Sequence, residues 1–353
     1  MFALFALVAA AQPAQPETTG HASPPPNGSL SEGDVDAWLL RLHQASLQRN
    51  FIGTFVVSSA AGALASARIW HACQGERQVE RVEALTGAPR SVFRHNDQVV
   101  TFLPDQKVVR TERRESLGAF PGLLKSLDTP ITNSYNARPA GTARVAGFKA
   151  EVMQLEPKDS LRFGYKVWSE QQSGLVLKVQ TLDVDGGVLE QAAFSELQLD
   201  APVQIDKLDQ MMAATDGWSV ETPQVIKTTP EAMGWALPVG VPGFQPVHCY
   251  QRSLSKPAGA LPDDRTASAM HWVFSDGLAS VSLFLEPHDE KWHPAPGHMT
   301  MGATHTLTRR IDGSGSDAAN AAGGDWWLTA VGEVPLSTLR MFGQGLRRIE
   351  PRR

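Results

Sequence analysis

The sequence predicts a mainly β protein of the α+β class: a curved antiparallel sheet or partial barrel, then a small antiparallel sheet closed by a C-terminal helix. Three observations carry this. Short runs of alternating apolar and polar residues follow one another closely. The chain contains 24 Pro and 30 Gly, and many of them fall between those runs, where turns belong. Only a few segments space their apolar residues as a helix does. At 353 residues, and roughly one domain per 100–200 residues, two domains are expected.

The elements follow in order. Phe2 to Ala11 (FALFALVAAA) contains no polar residue. It is too short to span a bilayer, which takes about 20 apolar residues, but it suits the core of a secretory signal, with Ala9-Ala10-Ala11 as a small-residue cleavage site. No Lys or Arg precedes it. Residues 12–30 read as a Pro-rich extended tether. Ser31 to Arg49 places Val35, Trp38, Leu39, Leu42, Ala45, Ser46 and Leu47 near helical spacing, with Ser31 and Asp34 as an N-terminal cap. Strand-like runs then cover 51–59, 67–74, 77–85, 90–96, 98–104 and 107–114. Leu117 to Leu127 reads as a short helix broken at Pro121. Strands resume at 143–157, 161–170, 174–183 and 188–199, joined in part by Asp185-Gly186-Gly187, a hairpin signal. The first domain thus spans 31–215, with a short helix at 206–214. A linker over 216–232 contains two Pro.

The second domain, 233–353, opens with a strand near 247–252. A hairpin over 270–287 turns at Ser275-Asp276-Gly277. Strands at 298–312 and 325–335 follow, then a helix over 336–350 that starts behind Pro335.

Composition excludes several classes. Lys and Arg number 32 against 37 Asp and Glu, a net charge of −5, which argues against a nucleic-acid binder. A hydrophobic share of 42% with 20% charged residues describes a packed chain, not a disordered one. Nucleophile-elbow, zinc-protease, phosphate-loop and dinucleotide motifs are all missing, so no enzyme is expected. Asp183 to Gly186 lacks the third acidic position and distal Glu of a calcium loop. His288, His293, His298 and His305, near Asp289 and Glu290, follow no zinc-ligand spacing; a polar loop is the simpler reading, and no metal or other cofactor is expected.

The chain resembles the RseB/MucB family of periplasmic regulators of the envelope-stress sigma factor. The resemblance rests on RIWH (68–71) with QVERVEALTGAPRSVFR (78–94), YKVWSEQQSGLVLKVQTLDVDGGVLEQAAF (165–194), ALPVGVPGF (236–244), VFSDGLASVSLF (273–284) and VGEVPLSTL (331–339), in family order. It implies a large domain similar to the LolA/LolB lipoprotein carriers, a half-open antiparallel β-barrel covered by helices. It implies a periplasmic regulator that binds the periplasmic segment of a membrane-spanning anti-sigma factor, of the RseA/MucA kind, shields it from proteolysis, and releases it on a lipid or lipopolysaccharide signal. A lipid or lipoprotein carrier is the alternative; such a carrier ends after the barrel, whereas this chain continues for a whole domain. A homo-oligomer is compatible with this reading.

That resemblance makes residues on the alternating faces candidates for a lipid cavity: Phe51, Phe55, Val57, Val100, Phe102, Phe163, Tyr165, Val167, Leu177 and Val179. Ordinary core is the alternative for each. Arg110, Arg113 and Arg114 are candidates for a rim that meets anionic head groups, or for a solvated strand edge. Adjacent Trp326 and Trp327 face opposite sides of a strand, so one of them, with Arg340, Arg347 and Arg348 on the last helix, is a candidate partner contact; packing under the helix is the alternative. In an oxidising periplasm a Cys73–Cys249 disulfide between the domains is expected, with two free thiols as the alternative.

Overall fold

The computed structural model describes residues 30–113, 120–124, 130–253, 268–293, 295–312 and 324–350. The expected signal segment, nearly all of the tether, and Arg114 lie outside them. The chain opens with helix α1 (Glu32–Gln48), whose Ser31 cap accepts the Asp34 N–H. Strands β1 (Phe51–Ser59), β2 (Leu64–Gln74), β3 (Arg77–Ala84), β4 (Ser91–His95), β5 (Gln98–Leu103) and β6 (Val108–Arg113) form a meander. After residues 120–124 come β7 (Tyr135–Val145), β8 (Phe148–Pro157), β9 (Gly164–Glu170), β10 (Val176–Leu182) and β11 (Val188–Leu199). Helix α2 (Ile205–Ala213) leads to β12 (Ser219–Glu221), β13 (Val225–Lys227) and β14 (Trp235–Ala236). The remainder is β15 (Gln245–Ser253), β16 (Ser268–Ser275), β17 (Ser280–Pro287), β18 (Gly297–Met301), β19 (Thr304–Ile311), β20 (Trp326–Gly332), α3 (Leu336–Gly345) and β21 (Arg347–Arg348).

Twelve strands make the large sheet, in the order β12-β6-β5-β4-β3-β2-β1-β11-β10-β9-β8-β7. Every pairing in it is antiparallel except β12 on β6, which is parallel. Edge strand β7 returns into contact with β11, four places away in that order. The sheet therefore curls at this end into an open half-barrel. Helix α1 lies there, burying Trp38, Leu39 and Leu42 with Ile131, Tyr135, Leu155, Val167 and Val176. Helix α2 covers the other end, where Met212 packs on Phe93, Val100, Phe102 and Val109.

The small sheet has seven strands, β13-β15-β16-β17-β20-β19-β18, with α3 packed on β19 and β20. Its core is continuous: Phe244, Phe274, Leu283, Leu328, Leu339 and Phe342 belong to one cluster.

Four expectations need correction. Residues 120–124 form a turn followed by irregular chain, not helix. The expected strands 143–157 and 298–312 are each interrupted. Ala146 and Gly147, both at positive φ, make the turn between β7 and β8, and Gly302-Ala303 separates β18 from β19. The last helix ends at Gly345, and Arg347 and Arg348 form a strand pairing with Trp235 and Ala236.

Candidate functional site

The two sheets exchange side chains where they meet. Leu161, just before β9, packs against the small-domain core. Leu278, at the tip of the β16–β17 hairpin, is 2% exposed and sits in the cluster beneath α1 with Trp38, Tyr165 and Val176. At about 25 cal/mol per Å² of apolar surface removed from water, one fully buried Leu contributes on the order of 2 kcal/mol.

A polar clamp fixes that tip. Asp276 and Arg162 are both 0% exposed in their side chains, and Arg162 Nη1 donates to Asp276 Oδ2 at 3.1 Å. Tyr135 Oη donates to the same oxygen at 3.0 Å. The other carboxylate oxygen accepts the Leu278 and Ala279 N–H groups at 3.0 and 2.7 Å. Arg162 also donates to Asp159 at 3.0 Å and to the Pro242 carbonyl at 2.8 Å. Burial holds the Tyr135 hydroxyl well above its ordinary pKa, so it remains a donor. Such a pair, with its remaining hydrogen-bonding capacity met, is the tolerable form of a buried charge. Thr338 adds a hydrogen bond to the Leu161 carbonyl at 2.7 Å.

Beside the clamp lies a cleft of about 350 Å³. This is the low end of ligand-sized cavities, about 300–1,000 Å³. Phe55 and Val57 of β1, Tyr165 of β9, Val176 and Val179 of β10 and Ala192 of β11 give it apolar walls, with Phe120 to Leu123 alongside. Leu278 and Glu333 come from the small domain, so both domains build it. Glu190 of β11 and Glu333 are its carboxylates. Burial first, then the Glu333 charge, raise the Glu190 pKa, partly offset by the Ala303 N–H.

Four of the ten expected cavity residues, Phe55, Val57, Tyr165 and Val179, line this cleft. The others are core. Phe51 stacks on His71 with ring centroids 5.0 Å apart and shares a cluster with Leu177. Val167 lies beneath α1, and Val100 and Phe102 beneath α2. Phe163 meets the small domain at His305, centroids 5.8 Å apart. Arg110 is not at the cleft: it pairs with Glu221 of β12 at 2.9 Å. Arg113 ends the same strand, β6. The expected disulfide is corrected too, since both thiols are free. Cys73 lies beside Asn50, its N–H donating to that side chain at 2.8 Å, while Cys249 is buried in the small-domain core. Burial raises the Cys249 thiol to about 12, so it stays an inert thiol.

Two family models match the chain in series. The MucB/RseB N-terminal domain covers residues 34–212, and the MucB/RseB C-terminal domain covers residues 229–347.

The chain belongs to the MucB/RseB family.

It is 28% identical over 320 residues to the sigma factor AlgU regulatory protein MucB of Pseudomonas aeruginosa, covering 89% of this chain and 91% of that protein. Identity to the sigma-E factor regulatory protein RseB of Escherichia coli K12 is 24% over 315 residues, covering 88% and 90%. The crystal structure of MucB in complex with MucA(peri) superposes with a TM-score of 0.63 at 26% identity, covering 90% of this chain and 99% of that one. The family is regulatory, not enzymatic.

Within this MucB/RseB chain the expected partner contacts separate. Trp327 is 3% exposed and stacks on His293, centroids 5.0 Å apart. Trp326 packs edge-on against Trp235 at 5.5 Å, with the Arg348 guanidinium 4.8 Å above its ring. Neither is an exposed aromatic. Arg340 and Arg347 are exposed, and Arg340 borders a groove of about 380 Å³ alongside edge strand β18. Of the four histidines only His288 and His293 come together, with ring centroids 5.4 Å apart and His293 facing Glu286 at 3.3 Å; His305 faces the Val334 carbonyl at 2.7 Å, and His298 is exposed on β18.

Sequence reasoning missed Val176, Glu190, Leu278, Glu333 and the 120–123 segment. The available signal was the pair of motifs SDGL and VGEVP, which read as turn and strand but also supply the small domain's share of the cleft. Among the described residues, no helix is long and apolar enough to cross a membrane.

Proposed function

We propose that this chain is a periplasmic binding protein that holds the periplasmic segment of a membrane anti-sigma factor. Bound, it shields that segment from regulated proteolysis; a lipid or lipopolysaccharide signal in the cleft releases it. The observation that carries the reading is that the cleft is built by both domains, with the clamped hairpin tip as one wall. An acyl chain gains about 0.8 kcal/mol per buried methylene. A ligand that prefers one arrangement of Leu278 and Glu333 over another shifts the population of domain arrangements by that difference in affinity. By linkage, a partner bound across the small domain feels the same coupling in reverse.

Family membership and the relative in complex with MucA(peri) support the partner class. Arg340, which borders the groove beside β18, and Arg347, exposed on β21, are our proposed partner contacts, and an acidic stretch of the segment would complement them. A simple carrier leaves the small domain's part in the cleft unexplained. The test is a titration of the chain with the periplasmic segment of its cognate anti-sigma factor, followed by lipopolysaccharide. Micromolar or tighter binding, reversed by lipopolysaccharide, is the expected result. Lipid binding without any binding of the segment would favour a carrier.

A further inference from the structure

Four strands close the ends of the twelve- and seven-stranded sheets: β12 and β7 in the first, β13 and β18 in the second. An open sheet edge offers unpaired N–H and C=O groups to any other chain, and proteins blunt it by shortness, charge, proline or a bulge. Three of these four edges are blunted. β12 is three residues long, and its Glu221 pairs with Arg110. β13 is three residues long and ends in Lys227. β7 contains Pro139, has a register shift beside it, and curls back towards β11. β18 (GHMTM) has no Asp, Glu, Lys or Arg, no proline and no register shift, and all five of its residues are exposed.

The pairing of β18 shows which of its backbone groups are open. Gly302-Ala303 is a two-residue hairpin turn with a positive-φ Gly in first place. Met301 and Thr304, which flank it, form the first hydrogen-bonded pair, and such pairs recur at every second residue, at Met299 and Gly297. In keeping with this, the Gly297 N–H points to the β19 side, where it donates to Thr308 Oγ1 at 3.2 Å. His298 and Thr300 therefore turn their N–H and C=O groups to the open side. Side chains alternate as well. His298 borders the groove of about 380 Å³, together with Leu307 and Arg309 of β19 and Arg340 and Gln344 of α3. Met299 and Met301 lie on the opposite face, 62% and 64% exposed. No Asp or Glu lines the groove.

We propose that an extended acidic peptide adds to β18 as a further strand of the small sheet. Its backbone pairs with the open N–H and C=O groups of His298 and Thr300, at the ordinary strand spacing of about 4.8 Å. Its side chains then fall alternately on the two faces: carboxylates over the groove, against Arg309 and Arg340, and apolar groups beside Met299 and Met301. The recognised pattern is acidic and apolar residues in alternation. Main-chain bonds supply affinity in this mode, and the alternate side chains supply selectivity. The groove also decides the occupant, because a second copy paired through its own β18 would bring two arginine-lined grooves side by side. This deepens the reading of Arg340 as a partner contact and rests on it, adding how the partner docks.

The experiment is fluorescence anisotropy of short labelled peptides with the full chain. The probes are alternating Glu and Val, alternating Lys and Val, and a block control with all Glu before all Val. The alternating Glu–Val peptide should bind on the order of tenfold tighter than either control. Thr300→Pro removes an outward N–H and no bond to β19, a change that edge strands tolerate; it should weaken this peptide on the order of tenfold, as should Arg340→Glu. Near-UV circular dichroism matching the parent shows that the variants are folded. A Glu–Val peptide N-methylated at alternate residues tests the same bonds on the unaltered chain, and should fail to bind. Full-strength binding by the methylated peptide, or equal binding of the Lys–Val peptide, would overturn the proposal. Self-association of the chain that Thr300→Pro abolishes would overturn it too, and give the edge to a second copy. If the cognate anti-sigma segment binds the parent and Thr300→Pro equally, strand addition falls and the partner reading stands. If the segment binds neither, the partner reading itself falls.

Discussion

Two polar clusters sit where the domains meet, and they solve the same problem in opposite ways. In the clamp, Tyr135, Arg162 and Asp276 are buried and mutually satisfied; Asp276 alone accepts from Tyr135, Arg162 and two backbone N–H groups. In the cleft, the Tyr165 hydroxyl is buried beside Tyr135 without a hydrogen bond of good geometry among the described residues, and Glu190 shares the space with a second carboxylate, Glu333. Leu278 lies between them, one residue beyond Gly277 in the clamped turn and also part of the cleft wall. A satisfied cluster fixes a geometry. An unsatisfied one beside it leaves interaction capacity for a molecule the chain does not itself contain.

The largest effect should come from cutting the clamp. Asp276→Ala strands the fully buried Arg162 guanidinium without its deepest partner, and should cost about 3–5 kcal/mol. Urea unfolding followed by tryptophan fluorescence would measure this. The domains should also melt as two transitions in the variant. A loss under about 1 kcal/mol would mean that Asp159 and the Pro242 carbonyl suffice for Arg162, and the clamp would not be one. Next comes Leu278→Ala, which empties the tip from the cluster beneath α1 and should cost about 2–5 kcal/mol. Unlike the first substitution, it should also weaken binding of a neutral alkyl probe, because Leu278 belongs to the cleft wall.

Two glycines sharpen the comparison further. Gly243 and Gly302 both adopt positive φ, at 80° and 61°, where an L side chain costs roughly 1–2 kcal/mol. A Cβ at Gly243 would meet the Arg162 guanidinium at 2.6 Å and Ser134 Oγ at 2.9 Å. Arg162 is walled in and cannot yield. At Gly302 the nearest obstacle is the end of the Glu190 side chain, which can swing aside, and Ser59 Cβ follows at 3.2 Å. Gly243→Ala should therefore lose clearly more stability than Gly302→Ala, which should lose only the backbone penalty, about 1–2 kcal/mol. Equal losses would show that both clusters are equally rigid and remove the contrast drawn here.

The fold was largely legible because strand alternation and turn residues are local signals. Ser31 capping α1, the Asp185-Gly186-Gly187 turn and the SDG hairpin are set by residues within a few positions of each other. Two of the four errors fell where Ala occupies a turn position: Ala146-Gly147 and Gly302-Ala303 carry only one Gly each, so two hairpins were read as two long strands. The cleft was legible only in part. Alternation finds residues that point to one face, but it does not say which stretch of that face a helix covers. Val100 and Phe102 alternate as well as Phe55 and Val57 do, yet α2 closes over the first pair. The carboxylates were illegible, because Glu190 and Glu333 come together only once the two domains dock.

The smallest effect tests the unsatisfied side directly. The Glu190 pKa is raised above its ordinary carboxylate value by burial and by Glu333. Between that ordinary value and the raised one, the folded chain holds a proton that the unfolded chain has released, so stability falls as pH rises through this window. Below it both states are protonated and the penalty vanishes; above it the penalty is constant. Glu190→Gln removes the titration. The variant should therefore match the parent in mildly acidic solution and be the more stable of the two at neutral pH, by no more than about 1 kcal/mol given its partial exposure. The clamp makes the opposite demand, since removing the carboxylate of Asp276 only destabilises. If Glu190→Gln lowered stability at neutral pH, the Ala303 N–H would outweigh burial and the Glu333 charge, and the cleft would be a second clamp and not an open site.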